Sequence, residues 1–246
     1  MKAAVLLREV GKDMLSRLEW MSLKPRIILD AGCAVGEMSL ALQARYPHAC
    51  VLGLETDFSM LDYAKHHMVS PGIQLVNATM DQFPLRDQSV DLIFANLLFP
   101  FLNDIKLILR EWRRVLTPNG LLMISALGLD SLQACSAANQ LLLMDMHDVG
   151  DLLLSEGFAE PVLDVDHYTM TYRDKNKLIN ELYQSKMIDA AINLENAEIV
   201  AVNDKWQMHY EIIHAHAFAP AQTNEISASA EGVVRVPLSH LRKQLK

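Results

Sequence analysis

The chain has 246 residues, 51% of them hydrophobic and 21% charged, with a formal net charge of −8. That balance supports a packed core, excludes an intrinsically disordered chain and argues against a general nucleic-acid binder. No apolar run approaches the ~20 residues of a membrane span and no secretory signal opens the chain, so a cytoplasmic protein is expected.

Residues 3–21 read as an amphipathic helix, with Val10, Met14, Leu15, Leu18 and Met21 at helical spacing, and Pro25 ends it. Ile27-Ile28-Leu29-Asp30 is then an apolar strand closing on an acid, and it breaks into Ala31-Gly32-Cys33-Ala34-Val35-Gly36. Glycines at a strand-to-helix junction let a ligand approach the backbone, and the helix that follows offers unpaired N–H groups. A phosphate-binding P-loop would need Gly-Lys-Ser/Thr here and a dinucleotide fingerprint would need G-x-G-x-x-G; the stretch has neither.

Glu37 to Arg45 makes the first crossover helix, stopped by Tyr46-Pro47. Ala49 to Glu55 is a second strand ending in an acid, about twenty residues past the loop, where a parallel neighbour can present a carboxylate to ribose hydroxyls. Phe58 to His67 is the next helix, and Ile73 to Ala78 a third strand carrying Asn77 near its end. After a loop at Phe83-Pro84, Val90 to Asn96 is the fourth strand. Strand, helix, strand, helix at this spacing demands parallel pairing with helices on both faces: a doubly wound, mostly parallel α/β sheet. Its ligand crevice lies at the carboxyl ends of the strands, where Asp30, Glu55, Asn77 and Asn96 all fall.

Asn103 to Leu116 reads as a helix with Ile105, Leu109, Trp112 and Leu116 inward and its arginines solvated. Thr117-Pro118-Asn119-Gly120 is a turn into strand Leu121 to Ala126. A helix over 130–143, another from the Met144 region through Ser155, strand Val162 to Tyr172 and helix Lys175 to Ile188 follow. Trp206 to Phe218 alternates, with Trp206, Met208, Tyr210 and Ile212 on one face, and the late strands are expected to form an antiparallel edge. The expected organisation is one domain over 1–219: an N-terminal helix to 24, a cofactor-binding half over 25–126 and a substrate-side half over 127–219. Residues 220–246 are expected to be a flexible, basic tail. Cys33, Cys50 and Cys135 have no metal spacing, and His214 with His216 lacks a third ligand in sequence reach, so no metal is expected.

Asp30-x-Gly32-x-Ala34-x-Gly36 resembles motif I of the class I S-adenosylmethionine (SAM) methyltransferases, with Ala34 in place of the middle glycine. The resemblance implies SAM as cofactor, with Asp30, Gly32, Cys33 and Gly36 under its methionyl part, Glu55 at the ribose and Thr56 bordering the adenine ring. Asn77 and Ala78 would meet the adenine, where the family usually carries Asp-Ala, with Asn96 as a further polar strand end at the crevice. Met146-His147-Asp148-Val149-Gly150-Asp151, Arg8-Glu9-Val10-Gly11, Trp112-Arg113-Arg114-Val115-Leu116 and Thr169-Met170-Thr171-Tyr172 are similar to segments of the biotin-synthesis methyltransferases called BioC. That resemblance implies O-methylation of the malonyl free carboxylate on acyl carrier protein, with the carrier as partner, and His147 and Asp148 as substrate-side candidates.

No catalytic residue is assigned, because a carboxylate nucleophile is already ionised and needs no general base. A guanidinium fork would suit the malonyl carboxylate, and Arg110, Arg113, Arg114 and Arg173 each also have a surface explanation. Asp145 or Asp148 capping a helix is the simpler account of the His147 region. Family members usually carry a Ser-Tyr-Asp segment ahead of the first helix, and this sequence has none. Together with Ala34 and Asn77, that keeps a relative of other chemistry open, either like the complex I assembly hydroxylase that the family also resembles or a non-catalytic binding protein.

Overall fold

The computed structural model describes residues 5–67, 70–98, 104–132, 143–184, 201–202 and 205–221. Strand β1 (Ile27–Ala31) runs through the middle of the sheet, with Ile28 in one core layer and Leu29 in the other. Burial on both faces is why this run is continuously apolar instead of alternating. Strands β2 (Cys50–Glu55), β3 (Ile73–Asn77), β4 (Val90–Ala95) and β5 (Leu116–Leu127) join it in parallel pairs. Strand β8 (Lys205–Phe218) pairs antiparallel with β5, and β6 (Ala159–Tyr172) antiparallel with β8. The sheet order is β3-β2-β1-β4-β5-β8-β6, with the short β7 (Ala201–Val202) also on β8. The doubly wound sheet with an antiparallel edge is therefore what forms. Strand order reverses between β1 and β4, which opens the crevice at their carboxyl ends.

Helices α1 (Val5–Arg17), α2 (Glu37–Arg45) and α6 (Lys175–Gln184) supply Leu6, Val10, Met14, Leu42, Leu178 and Leu182 to one core layer. Helices α4 (Ile105–Val115) and α5 (Met146–Ser155) supply Ile108, Leu109, Trp112, Val149 and Leu153 to the other. Helix α3 (Phe58–His67) packs against β2 and β3.

Several boundaries differ from the sequence reading. The first helix gives way after Arg17 to a tight 3₁₀ turn, Leu18–Trp20. Helix α4 stops at Val115 and buries Ile108 and Val115, while Leu116 already belongs to β5. Thr117 to Gly120 is not a free turn but an irregularity inside β5: pairing with β4 steps from Val90↔Leu116 to Leu92↔Leu121, with Asn119 at φ 61°. The end of β8 holds it there, because Asn119 N–H donates to the Ala219 carbonyl and Ala219 N–H to that of Gly120. Strand β6 starts early, at Ala159, through a bulge with Glu160 at φ 53°. Of the helix expected over 130–143, residues 130–132 instead form a turn bonded to β8, and 133–142 lie outside the described residues. Residues 185–188 of the sixth helix and the tail beyond 221 lie outside them as well.

Candidate active site

Parallel register sets the polar strand ends side by side. Glu55 is directly opposite Asn77, and Ala31 opposite Leu54, so Asp30, Glu55 and Asn77 line adjacent strands about 5 Å apart. Asp30 is only 2% exposed, and its Oδ2 accepts a 2.5 Å hydrogen bond from Ser39 Oγ on α2. Burial pushes its carboxyl up to about 7; the Ser39 bond opposes that rise and the Glu55 charge adds to it. No cation pairs with Asp30 among the described residues. A carboxylate held indoors with only a serine and a like charge for company could hold a cationic ligand.

The loop after β1 places Gly32, Ala34 and Gly36 at φ 75°, 48° and 84°. Gly32 and Cys33 N–H both donate to the Leu54 carbonyl, tying the loop to β2. A Cβ on Gly32 would stand 2.8 Å from the tip of the Leu98 side chain, which can turn aside, so it is the backbone angle that calls for glycine there. Ala34 adopts the left-handed conformation at a cost of about 1 kcal/mol. Its N–H donates to Glu55 Oε2 at 3.1 Å, which holds it in place. Helix α2 starts at Gly36 with no side-chain cap, and of its first N–H groups that of Ser39 already turns to the Asp30 carboxyl.

Glu55 ties two loops together. Oε1 accepts from Thr56 N–H at 2.8 Å, Thr56 Oγ at 3.1 Å and Asp57 N–H at 3.0 Å, while Oε2 takes only Ala34 N–H and keeps acceptor capacity. Asn77 Nδ2 donates to the Glu55 and Thr56 carbonyls at 2.9 and 3.0 Å, which turns Oδ1 outward as an acceptor, and Ala78 N–H also reaches the Glu55 carbonyl. Cys33 is buried with its Sγ against Gly53, so only its backbone faces the loop, and burial pushes its thiol up.

Asn96 is committed to structure on both sides. Nδ2 donates to the Leu7 carbonyl of α1 at 2.7 Å, and Oδ1 accepts from Ser125 Oγ at 3.1 Å. Ser125 Oγ in turn receives Leu97 N–H. Helix α1 is thereby laid along the crevice, and Arg8 locks it with two bonds of 3.0 and 2.9 Å to Glu37. Gly11 allows the contact, since a Cβ there would stand 2.4 Å from Met38 Sδ. These bonds give the Arg8-Glu9-Val10-Gly11 segment its physical meaning. Ser39 and Ser125 carried no sequence signal; only the packing of α2 and β5 brings them to the strand ends.

His147 and Asp148 are exposed at the start of α5, and Asp145 caps that helix by accepting His147 N–H at 2.7 Å. They sit past the end of β5, two strands from β1, and are not brought into the Asp30–Glu55 cluster. Arg110 pairs with Glu156 at 2.7 Å, and Arg114 with Glu111 at 2.6 Å and with the Phe83 and Leu85 carbonyls, so neither is simply solvated. Helix α4 leads away from the crevice, which puts Arg113 and Arg114 at the opposite edge of the sheet. His214 is buried beside the Arg17–Asp164–Asp166 ion pairs, and no metal-binding group forms around it among the described residues.

Residues 29–124 match the family model described as a methyltransferase domain. A malonyl-[acyl-carrier protein] O-methyltransferase of Methylovorus sp. is 34% identical over 89% of this chain and 83% of its own length. Among solved structures, a Bacillus halodurans methyltransferase has a TM-score of 0.67 at 15% identity, covering 86% of this chain and all of its own. A Haemonchus contortus phosphoethanolamine N-methyltransferase 2, solved with S-adenosylhomocysteine, has a TM-score of 0.58 at 19% identity, over 85% of this chain and 53% of its own. With a parallel sheet of this order, its strand-end acids and the left-handed loop after β1, the chain belongs to the malonyl-[acyl-carrier protein] O-methyltransferase family of SAM-dependent class I methyltransferases.

Proposed function

We propose that this chain methylates the free carboxylate of a malonyl group carried on acyl carrier protein, a step of biotin synthesis. The observation that carries the cofactor assignment is the buried Asp30 with no cationic partner among the described residues, beside a Glu55 that keeps an open acceptor oxygen. The relatives named for this reaction support the substrate. Acyl carrier protein and SAM meet in the cytoplasm, where the reaction would run.

The residues present fit SAM. Asp30 and the uncapped start of α2 would receive the ammonium and carboxylate of the methionyl part, Glu55 Oε2 a ribose hydroxyl, and Asn77 Oδ1 the adenine amino group. Bound SAM supplies an electrophilic methyl on a sulfonium. A malonyl oxygen would accept that methyl, the C–S electron pair staying on sulfur, to give the methyl ester and S-adenosylhomocysteine. The nucleophile is ionised near neutral pH, so the chain has no proton to move. What it contributes is alignment of the two partners and exclusion of water, by the loop that Glu55 clamps and by α1 lying across the crevice edge.

Calorimetric titration with SAM and with S-adenosylhomocysteine, followed by mass analysis of malonyl-carrier protein, tests this. Micromolar binding and a mass gain of one methylene on the malonyl group are expected. A folded sample that binds neither nucleoside at millimolar concentration would sink the reading.

A further inference from the structure

One guanidinium beside the crevice is only half used. Arg8 lies on α1 three residues before Gly11, on the same face of the helix, and Gly11 packs against Met38 of α2 and Asn96 after β4. The Leu7 carbonyl next to it takes the Asn96 amide at 2.7 Å. These contacts bring Arg8 to Glu37, the first residue of α2, which directly follows Gly36 of the left-handed loop.

The pairing is side-on. Nε donates to Glu37 Oε2 at 3.0 Å and Nη2 to Oε1 at 2.9 Å, which uses one edge of the guanidinium. The remaining N–H groups are those of Nη1 and the second one on Nη2, and Nη1 has no partner among the described residues. One N–H from each of these nitrogens makes a second fork, the geometry that holds a carboxylate by both oxygens. With the Arg8 side chain 37% exposed, that fork is open to a ligand.

Charge decides which ligand group it takes. Asp30, Glu37 and Glu55 surround the loop, and Arg8 is the one cation that pairs with any of them among the described residues. The methionyl part of SAM brings a carboxylate as well as an ammonium to this acidic rim, and Glu37 would repel that carboxylate unless a cation stood between them. The malonyl carboxylate must instead meet the sulfonium methyl, whereas Arg8 is fixed to the residue that ends the loop assigned to the methionyl part. We infer that the free fork of Arg8 receives the methionyl carboxylate of SAM, screening it from Glu37 and making α1 a wall of the cofactor site. The inference rests on the SAM-dependent reading proposed above.

Calorimetric titration of the native chain, Arg8→Met and Glu37→Gln tests it, each with SAM and with decarboxylated SAM, which keeps the ammonium, sulfonium and nucleoside. Arg8→Met is expected to weaken SAM about tenfold or more, the size of a lost charge-assisted pair, without weakening the decarboxylated compound. Glu37→Gln separates binding from mere fastening of α1 to α2. If Arg8 only fastened the helix, losing Glu37 would weaken SAM as losing Arg8 does; an Arg8 relieved of its competing acid binds SAM at least as tightly as in the native chain. Should Arg8→Met misfold by its melting curve, Arg8→Lys, which keeps the charge and loses the fork, carries the same comparison with a smaller loss. Unchanged SAM affinity without Arg8, equal losses on both compounds, or a matching loss in Glu37→Gln overturns the assignment and leaves the methyltransferase reading intact. A folded native chain that binds no SAM takes both down.

Discussion

Replacing Asp30 with asparagine is expected to stabilise the free protein above neutral pH while removing its cofactor seat. The carboxyl is held up to about 7 from its ordinary 3.8, chiefly by burial. Because the folded state holds this proton more tightly than the unfolded chain, the contribution is fully favourable below the unfolded value and is lost as pH rises through the folded one. At 1.36 kcal/mol per pH unit, ionising Asp30 indoors costs the fold about 4 kcal/mol at alkaline pH. In Asp30→Asn the amide oxygen can still accept from Ser39, but the new NH₂ is buried without an acceptor, at a cost of about 1 kcal/mol. The variant should therefore gain about 3 kcal/mol over wild type near pH 8.5 and lose about 0.5–1 kcal/mol near pH 4, with the difference changing sign and growing as pH rises between those limits. Urea unfolding at four pH values reads this directly. A difference that is flat with pH would show that Asp30 is not a buried, unpaired acid and would remove the main argument for a cationic ligand. The same variant should lose SAM affinity, the expected exchange of stability for function.

Glu55→Gln exposes the second clamp. The amide can keep the Thr56 and Asp57 bonds only by turning its NH₂ towards Ala34 N–H, so a charge-assisted bond becomes a donor–donor contact, costing about 2–3 kcal/mol of stability and weakening SAM binding at least tenfold in calorimetry. Ala34→Gly relieves about 1 kcal/mol of left-handed strain but adds a similar entropy to the unfolded chain, so denaturation should show a change under about 0.5 kcal/mol. His214 is pushed below its ordinary value, first by burial and then by the Arg17 charge, with Asp13, Asp164 and Asp166 opposing. The unfolded chain then takes up the proton first, so this contribution is intact above about pH 6.5 and fades as pH falls. His214→Phe should remove that acid-side slope from the melting temperature, and an unchanged slope would assign it elsewhere.

Much of this protein was legible before any tertiary contact was known. The run Ile27 to Asp30, the acid at Glu55 and the helices between strands gave the parallel sheet and its crevice, because burial on both faces and crossover length are local properties of sequence. What stayed hidden depended on distant segments. The end of β8 drew Thr117 to Gly120 into a strand where turn residues alone predict a turn. Asn96 looked like a crevice residue, and its position is one, but its amide is spent on Leu7 and Ser125, partners 89 and 29 residues away. Arg110 and Arg114 looked solvated until Glu156 and the 83–87 loop arrived beside them. Ser39 became the partner of Asp30 only when α2 folded back over β1. Sequence by itself determined the periodicity, the strand-end acids and the loop that needs left-handed backbone, since each is written within a few neighbouring residues. Which polar groups remain unpaired for a ligand was decided only by the tertiary structure, because pairing joins groups that the chain keeps far apart.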